Sequence, residues 1–254
     1  MSRPVRAMQY AVVTGSSSGI GKQIALALAG SGTNLFIHGG HDSTALQQTK
    51  TELEQFDVDI QAACIDLSTE KGQQSLFEQT VESGRIPDIW INNAGADILT
   101  GIVADFEYDA KLELLWKVDV LATVRLSKWI GREMTKQRRG VILNMSWDQA
   151  ETGMEGDSGE LFGITKGAVT AFTRSLAKTL APDVRVNAIA AGWIKTKWGA
   201  SASVDWQNRA IRESLLERWG SAEDIASAAM FLTSDQAEFV TGQIMAINGG
   251  RKTS

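Results

Sequence analysis

The sequence predicts a single doubly wound α/β domain over residues 1–254, built on a seven-stranded parallel sheet flanked by helices. Three observations carry this. Short apolar runs alternate with amphipathic stretches from end to end, the pattern of repeated βαβ units and of a sheet covered on both faces. Right-handed crossovers then wind such units into two helical layers. No linker or repeat interrupts the pattern, since Gly and Ser are scattered and there are three prolines.

The elements follow in order. MQYAVV (8–13) reads as a buried strand, with a helix from about 20 to 29. LFIH (35–38) is a second strand, and 43–55 a polar helix that Asp42 can cap. VDIQAACI (58–65) is a third strand, followed by a helix over 69–83. DIWI (88–91) is a fourth, and a long helix runs from about 105 to 136. VILNM (141–145) is a fifth strand, before a helix over 161–180. VRVNAIA (184–190) is a sixth, followed by a Trp-containing segment (193–220) and a helix at about 222–233. QIMAI (243–247) closes the pattern.

Composition narrows the function. The net charge of −5 argues against a nucleic-acid surface, which needs clustered Lys and Arg. The single cysteine, Cys64, excludes a disulfide framework and fits a reducing compartment. The N-terminus lacks the apolar stretch of a signal peptide, and no run approaches the ~20 residues of a membrane span. A cytoplasmic protein with a small-molecule partner, and neither nucleic acid nor membrane, is expected.

The first strand runs into Thr14-Gly15-Ser16-Ser17-Ser18-Gly19-Ile20-Gly21, and a helix follows. In a parallel sheet this is the turn where dinucleotides bind. Glycines admit a pyrophosphate to the backbone, and the helix N-terminus offers unpaired N–H groups. The competing reading is a tight turn with no ligand; the flanking strand and helix favour the cofactor. Lys22 is followed by Gln23, so this is not a phosphate loop of the GK[ST] type.

TGSSSGIG resembles the cofactor turn of the short-chain dehydrogenase/reductase family, and the resemblance extends along nearly the whole chain. Asn92-Asn93-Ala94-Gly95 matches that family's NNAG motif, and Asp66, beside Leu67, its adenine-contacting acid. Ala191-Gly192-Trp193-Ile194-Lys195-Thr196 is similar to its PG…T segment, with Ala191 for proline. The resemblance implies a Rossmann-type fold and an NAD(P) site at Gly15, Ser17, Gly19, Ile20, Gly21, Asp66, Leu67, Asn93, Ala94, Gly95, Lys166, Gly192, Ile194 and Thr196. Neither an acid nor an Arg stands at Gly39 or Gly40, where the cofactor is normally chosen. With Lys22 as a nearby cation, a slight lean to NADP over NAD follows.

The family's chemistry uses a Tyr-x-x-x-Lys pair, a Ser after the fifth strand and an Asn in the long helix. A Lys beside the phenol brings its proton toward neutrality. Here Phe162 stands for the Tyr, Lys166 remains, Asp119 replaces the Asn, and Trp147 falls at the Ser. Ser146 is one place early, and counting back from Phe162 reaches Gln149, so a two-residue insertion is implied. Neither Tyr10, in the first strand, nor Tyr108, at the start of the long helix, stands in for the missing phenol. Lys166 is expected at the nicotinamide ribose rather than as a solvated charge. Asp119 either pairs with it or fills a polar slot.

The loop 148–160 carries five acids and three glycines. It reads either as a solvated rim, with Asp157 or Ser158 capping the next helix, or as the source of a substitute acid in Asp148, Glu151 or Glu160. No spacing there supports a metal. Trp147, Phe162, Trp193 and Trp198 are expected to wall an apolar substrate pocket, and Trp206 falls in the same segment; the alternative is a packed lid or a subunit interface, and Lys195 and Lys197 beside them leave room for an anionic substrate. Three functions stay open: an NAD(P)-dependent oxidoreductase of a carbonyl or alcohol with altered proton delivery, a cofactor-binding protein without turnover, or a lyase or isomerase using an acid of the loop. The candidate catalytic residues are Lys166, Asp119, Ser146 and Asp148. The resemblance also implies a homodimer or homotetramer assembled through 105–136 and 161–180, with Trp116, Trp129 and Phe172 either at the interface or in the core.

Overall fold

The computed structural model describes residues 9–252. Met8, with which the first predicted strand begins, lies outside them. Seven strands form one all-parallel sheet in the order 3-2-1-4-5-6-7. They are β1 (Tyr10–Val13), β2 (Asn34–Gly39), β3 (Ile60–Cys64), β4 (Ile89–Asn92), β5 (Val141–Trp147), β6 (Arg185–Ala191) and β7 (Ile244–Ile247).

Alternate side chains of these strands feed two cores, because successive residues of a strand face opposite ways. Val13, Ile37, Ile91 and Leu143 pack on one face against α1 (Gly19–Gly30), α2 (Ser43–Leu53) and the later helix over 222–233. Val12, Phe36, Trp90 and Ile142 pack on the other against α3 (Glu70–Val81) and the long helices over 122–136 and 157–180. Asp42 caps α2 by accepting from the Ala45 N–H at 2.9 Å, as expected.

The long helix of 105–136 is not one helix. A 3₁₀ turn (Gly101–Asp105) leads to α4 (Tyr108–Leu115), a π turn (Trp116–Leu121) and then α5 (Ala122–Lys136). An isolated π turn inserts one residue into a helix and is frequent at functional sites. The next helix, α6 (Asp157–Leu180), starts earlier than the periodicity predicts. Its N-cap is Gly156, so the expected cap from Asp157 or Ser158 does not form: both residues already lie inside the first turn. The segment 193–220 folds into α7 (Lys197–Ser201) and α8 (Val204–Glu213), and α9 (Ala222–Thr233) opens with a Ser221/Asp224 capping box.

A buried polar chain crosses the sheet's midline. The Trp90 indole N–H donates to Asn92 Oδ1 (2.8 Å), Asn92 Nδ2 to Asn144 Oδ1 and Ser127 Oγ (2.8 Å each), and Asn144 Nδ2 to Thr173 Oγ1 (2.9 Å). Fully partnered networks of this kind fix the elements they join. Among the described residues no helix is long and apolar enough to cross a membrane.

Candidate active site

The C-terminal ends of β1, β4, β5 and β6 meet where a doubly wound sheet binds ligands. The β1–α1 turn is shaped by what it excludes. A Cβ at Gly21 would collide with the Gly15 carbonyl and the Asn93 amide. Gly19 has φ +56°, and its open side faces the Thr196 methyl. Asn93 Nδ2 donates to the Thr14 and Gly15 carbonyls (3.0 and 2.9 Å), and Thr14 Oγ1 accepts from the N–H groups of Asn93 and Ala94. Ser18, the N-cap of α1, makes no side-chain cap bond, so its hydroxyl leaves the N–H groups of the first turn unclaimed. A glycine cradle beside these N–H groups fits a dinucleotide pyrophosphate.

Beneath the turn lies a residue the sequence reading did not single out. The Gly15 N–H donates to His38 Nδ1 at 3.2 Å, and His38 Nε2 lies 2.8 Å from the Ile65 carbonyl. One nitrogen accepts and the other donates, which is the neutral ring. Burial pushes the His38 pKa down to about 4, opposed by the Ile65 carbonyl and reinforced by His41. An apolar strand ending in His carries no signal for this.

The other cofactor candidates divide. Asp66 is partly desolvated, yet the Ser68 N–H and hydroxyl, both at 2.8 Å, hold its carboxyl below the usual range. Leu67 is buried in the core, so only its backbone can face a ligand. Lys22, the cation offered to a 2′-phosphate, is instead paired with Glu52 at 2.7 Å.

Lys166 lies one turn after Phe162 on α6. Its ammonium sits 2.9 Å from Asp119 Oδ2 and 3.3 Å from the Met145 carbonyl. Asp119, 2% exposed on the π turn, accepts the Ala96 N–H through Oδ1 at 2.8 Å. One carboxylate thus joins the segment after β4 to the lysine. Trp147 and Phe162 stand edge to face, with ring centroids 6.3 Å apart. Ser146 borders the same space, but its hydroxyl is engaged by Thr170 Oγ1 at 2.7 Å and the Lys166 carbonyl at 3.2 Å.

Ser146, Trp147, Phe162 and Lys166 wall a cavity of about 530 Å³ that also reaches Ile20, Gly192, Ile194 and Thr196, with Asp119 behind the lysine rather than in the wall. Trp147, Trp193, Trp198 and Trp206 all line it, with Leu99, Met154 and Ser158, which the sequence did not single out for it. Trp193 packs on Trp198 and Trp206 with centroids at 6.3 and 5.4 Å, and Trp219 backs the cluster. Lys166 is the one charged side chain among the lining residues.

The loop 148–160 reaches the cavity through Met154 and Ser158, while Asp148, Glu151, Glu155 and Glu160 are engaged elsewhere. Asp148 is turned to the chain's end, accepting from Asn248 Nδ2 at 3.0 Å, with Arg251 at 3.9 Å. Burial pushes its carboxyl up, against these two partners. Glu151 pairs with Arg174, Glu155 with Arg209, and Glu160 takes the Tyr108 hydroxyl at 3.3 Å. Tyr10 is core, its hydroxyl on the Thr80 carbonyl. Trp129 packs on Phe77 and Phe172 lies half-buried on the same core, whereas Trp116 is 39% exposed.

A family model described as enoyl-(acyl carrier protein) reductase matches residues 15–252. A 3-oxoacyl-[acyl-carrier-protein] reductase of Aquifex aeolicus is 33% identical over 248 residues, covering 95% of this chain and 96% of that protein. An uncharacterized oxidoreductase of Bacillus subtilis is 31% identical, covering 94% and 97%. Among solved structures, a 7α-hydroxysteroid dehydrogenase complexed with NADH and a 7-oxo bile acid superposes with a TM-score of 0.86 at 28% identity, covering 96% and 94%. The L-sorbose reductase of Gluconobacter frateurii, complexed with NADPH and L-sorbose, gives 0.85 at 28%, covering 96% of each chain.

Proposed function

The chain belongs to the short-chain dehydrogenase/reductase family, and from that premise we propose that it is an NAD(P)-dependent oxidoreductase of a small apolar molecule, moving hydride at a carbonyl-type carbon with altered proton delivery. One observation carries this reading: Ile20, Lys166, Gly192, Ile194 and Thr196, all candidate cofactor residues, also wall the aromatic cavity. A nicotinamide held there would supply or accept the hydride. The turn at Gly15, Gly19 and Gly21 would hold the pyrophosphate, Asp66 and the Leu67 backbone the adenine, and Asn93, Ala94 and Gly95 the floor. Ile194 and Thr196 would hold the carboxamide and Lys166 the ribose.

The chain's own residues then do three things. Asp119 and the Met145 carbonyl fix the Lys166 ammonium. The tryptophans exclude water, which strengthens every charge interaction inside. Phe162 withholds the phenol proton, so the general acid help of ~10²–10⁴-fold is missing for a carbonyl substrate. Absence of a carboxylate at Gly39 and Gly40 supports a slight preference for NADP, although the pairing of Lys22 with Glu52 removes part of that support. A cytoplasmic homodimer or homotetramer through residues 105–136 and 161–180 completes the reading, with Trp116 of the π turn as its exposed contact.

The test is calorimetric binding of NADH and NADPH to the parent and to Gly19→Val, then single-turnover NAD(P)H oxidation with a panel of C=O and C=N compounds. The variant should lose both cofactors. Unchanged affinity would place the site elsewhere, and tight binding with no oxidation by any member would make the protein a cofactor-binding partner without turnover.

A further inference from the structure

We propose, resting on the oxidoreductase reading above, that the group reduced in this cavity is a cationic carbon–nitrogen double bond: an iminium ion carried on an apolar or aromatic small molecule. Three departures of this chain meet at one place and point the same way.

The first is the proton. Hydride addition to a carbonyl leaves an alkoxide, which needs a proton. The cavity offers no phenol, the Ser146 hydroxyl is engaged by α6, and Lys166 is held by Asp119. An iminium needs none. The hydride and its electron pair pass from a dihydronicotinamide to the iminium carbon, and the C=N π pair becomes the nitrogen lone pair. The substrate becomes a neutral amine and the nicotinamide a cation, so no proton is gained or lost.

The second is charge. An amide at position 119 would leave the Lys166 ammonium uncompensated beside the substrate, repelling a cation. The Asp119 carboxylate, 2.9 Å away and shielded from solvent, brings the pair to zero. The third is the wall. Trp147, Phe162, Trp193, Trp198 and Trp206 line the cavity, and aromatic faces attract cations. Trp206 already carries the Arg209 guanidinium 4.9 Å from its ring centroid. The Trp193 indole N–H donates to the Glu213 carboxylate at 2.8 Å, which adds electron density to that ring.

The probes are the N-methyl-3,4-dihydroisoquinolinium ion and 1-tetralone, a cationic iminium and a neutral ketone on similar fused-ring frames. Calorimetry on the cofactor-free protein should find the iminium bound about ten-fold more tightly. Asp119→Asn, nearly isosteric, should cost the iminium about ten-fold and the ketone less than two-fold; Phe162→Leu should likewise weaken the iminium selectively, with thermal melts confirming that both variants fold. Single-turnover NADPH oxidation should then proceed with the iminium and not with the ketone. Equal binding of the two probes, or selectivity untouched by both variants, overturns the proposal. Ketone reduction without iminium reduction also overturns it while leaving the oxidoreductase reading standing. Charge-selective binding with no oxidation by either probe overturns the reduction proposed here, and the oxidoreductase reading is then decided by the wider C=O and C=N panel.

Discussion

The turn after β1 and the wall after β5 lie at the same end of the sheet and are made of opposite materials. The turn is backbone. Gly21 sits against the Gly15 carbonyl, and Asn93, Thr14 and His38 bond to main-chain atoms around it. The wall is side chain: the rings of Trp147 and Phe162, and of Trp193, Trp198 and Trp206, touch one another. A change in the turn meets backbone that cannot step aside. A change in the wall replaces one ring by another group while the strand and helix beneath keep their course. Backbone demands therefore fix residue identity in the turn, whereas the wall's side chains can differ while its scaffold stays.

Four measurements test this contrast. The largest effect concerns the turn's support. His38 has a pKa of about 4 in the fold, below the ~6.5 of a free imidazole. Above that value both states are neutral and pH has no effect through this residue. As pH falls toward 4, the unfolded chain takes up a proton that the native ring refuses. Stability therefore falls with pH, by about 3 kcal/mol in all. Urea unfolding at pH 7.5 and 4.5 should show the loss in the parent and little of it in His38→Asn; an equal loss in both would mean the turn does not depend on the neutral ring.

Next is the wall. Phe162→Tyr places a phenol one turn from Lys166. Ketone reduction, followed by single-turnover NADPH oxidation, should rise by up to ~10²-fold, and further with Trp147→Ser. No gain in either variant would mean that the rings at 147 and 162 do not set the chemistry.

Gly39→Asp tests the seam between the regions. A Cβ there would stand 3.4 Å from Ser17 Cβ and Leu46 Cβ, a contact the neighbours can absorb. The new carboxylate should shift the NADPH-to-NADH affinity ratio roughly ten-fold toward NADH, read by equilibrium binding. The smallest effect is that of Glu52→Gln. It releases Lys22 from a partly exposed pair, so stability should move by less than ~1 kcal/mol and NADPH affinity should rise about two-fold. A larger stability change in a urea melt would show that the pair braces α1 against α2.

The strands were legible because parallel strands buried on both faces are short unbroken runs such as AVV, FIH and WIN. The turn was legible because glycine at 15, 19 and 21 meets a backbone demand written in consecutive residues. What escaped depends on distant partners. Asp148 is turned from the cavity by Asn248 and Arg251, a hundred residues on. His38 is neutral because of Gly15 and Ile65. The π turn around Asp119 leaves no mark in helical periodicity, since one extra residue shifts the apolar stripe without erasing it. The four indoles were placed by segment alone, and their convergence depended on α7 and α8, which the periodicity did not resolve.

The chain of bonds from Trp90 through Asn92 and Asn144 to Thr173 ties β4, which belongs to the cofactor turn, to β5 and α6, which carry the wall. Opening either half exposes side-chain amides whose partners sit in the other. The two halves should therefore melt in one cooperative transition, and the β4 and β5 amide protons should exchange with solvent only through global unfolding. The cavity wall can therefore differ in its side chains without splitting the molecule into two unfolding units, because this ladder lies beneath it.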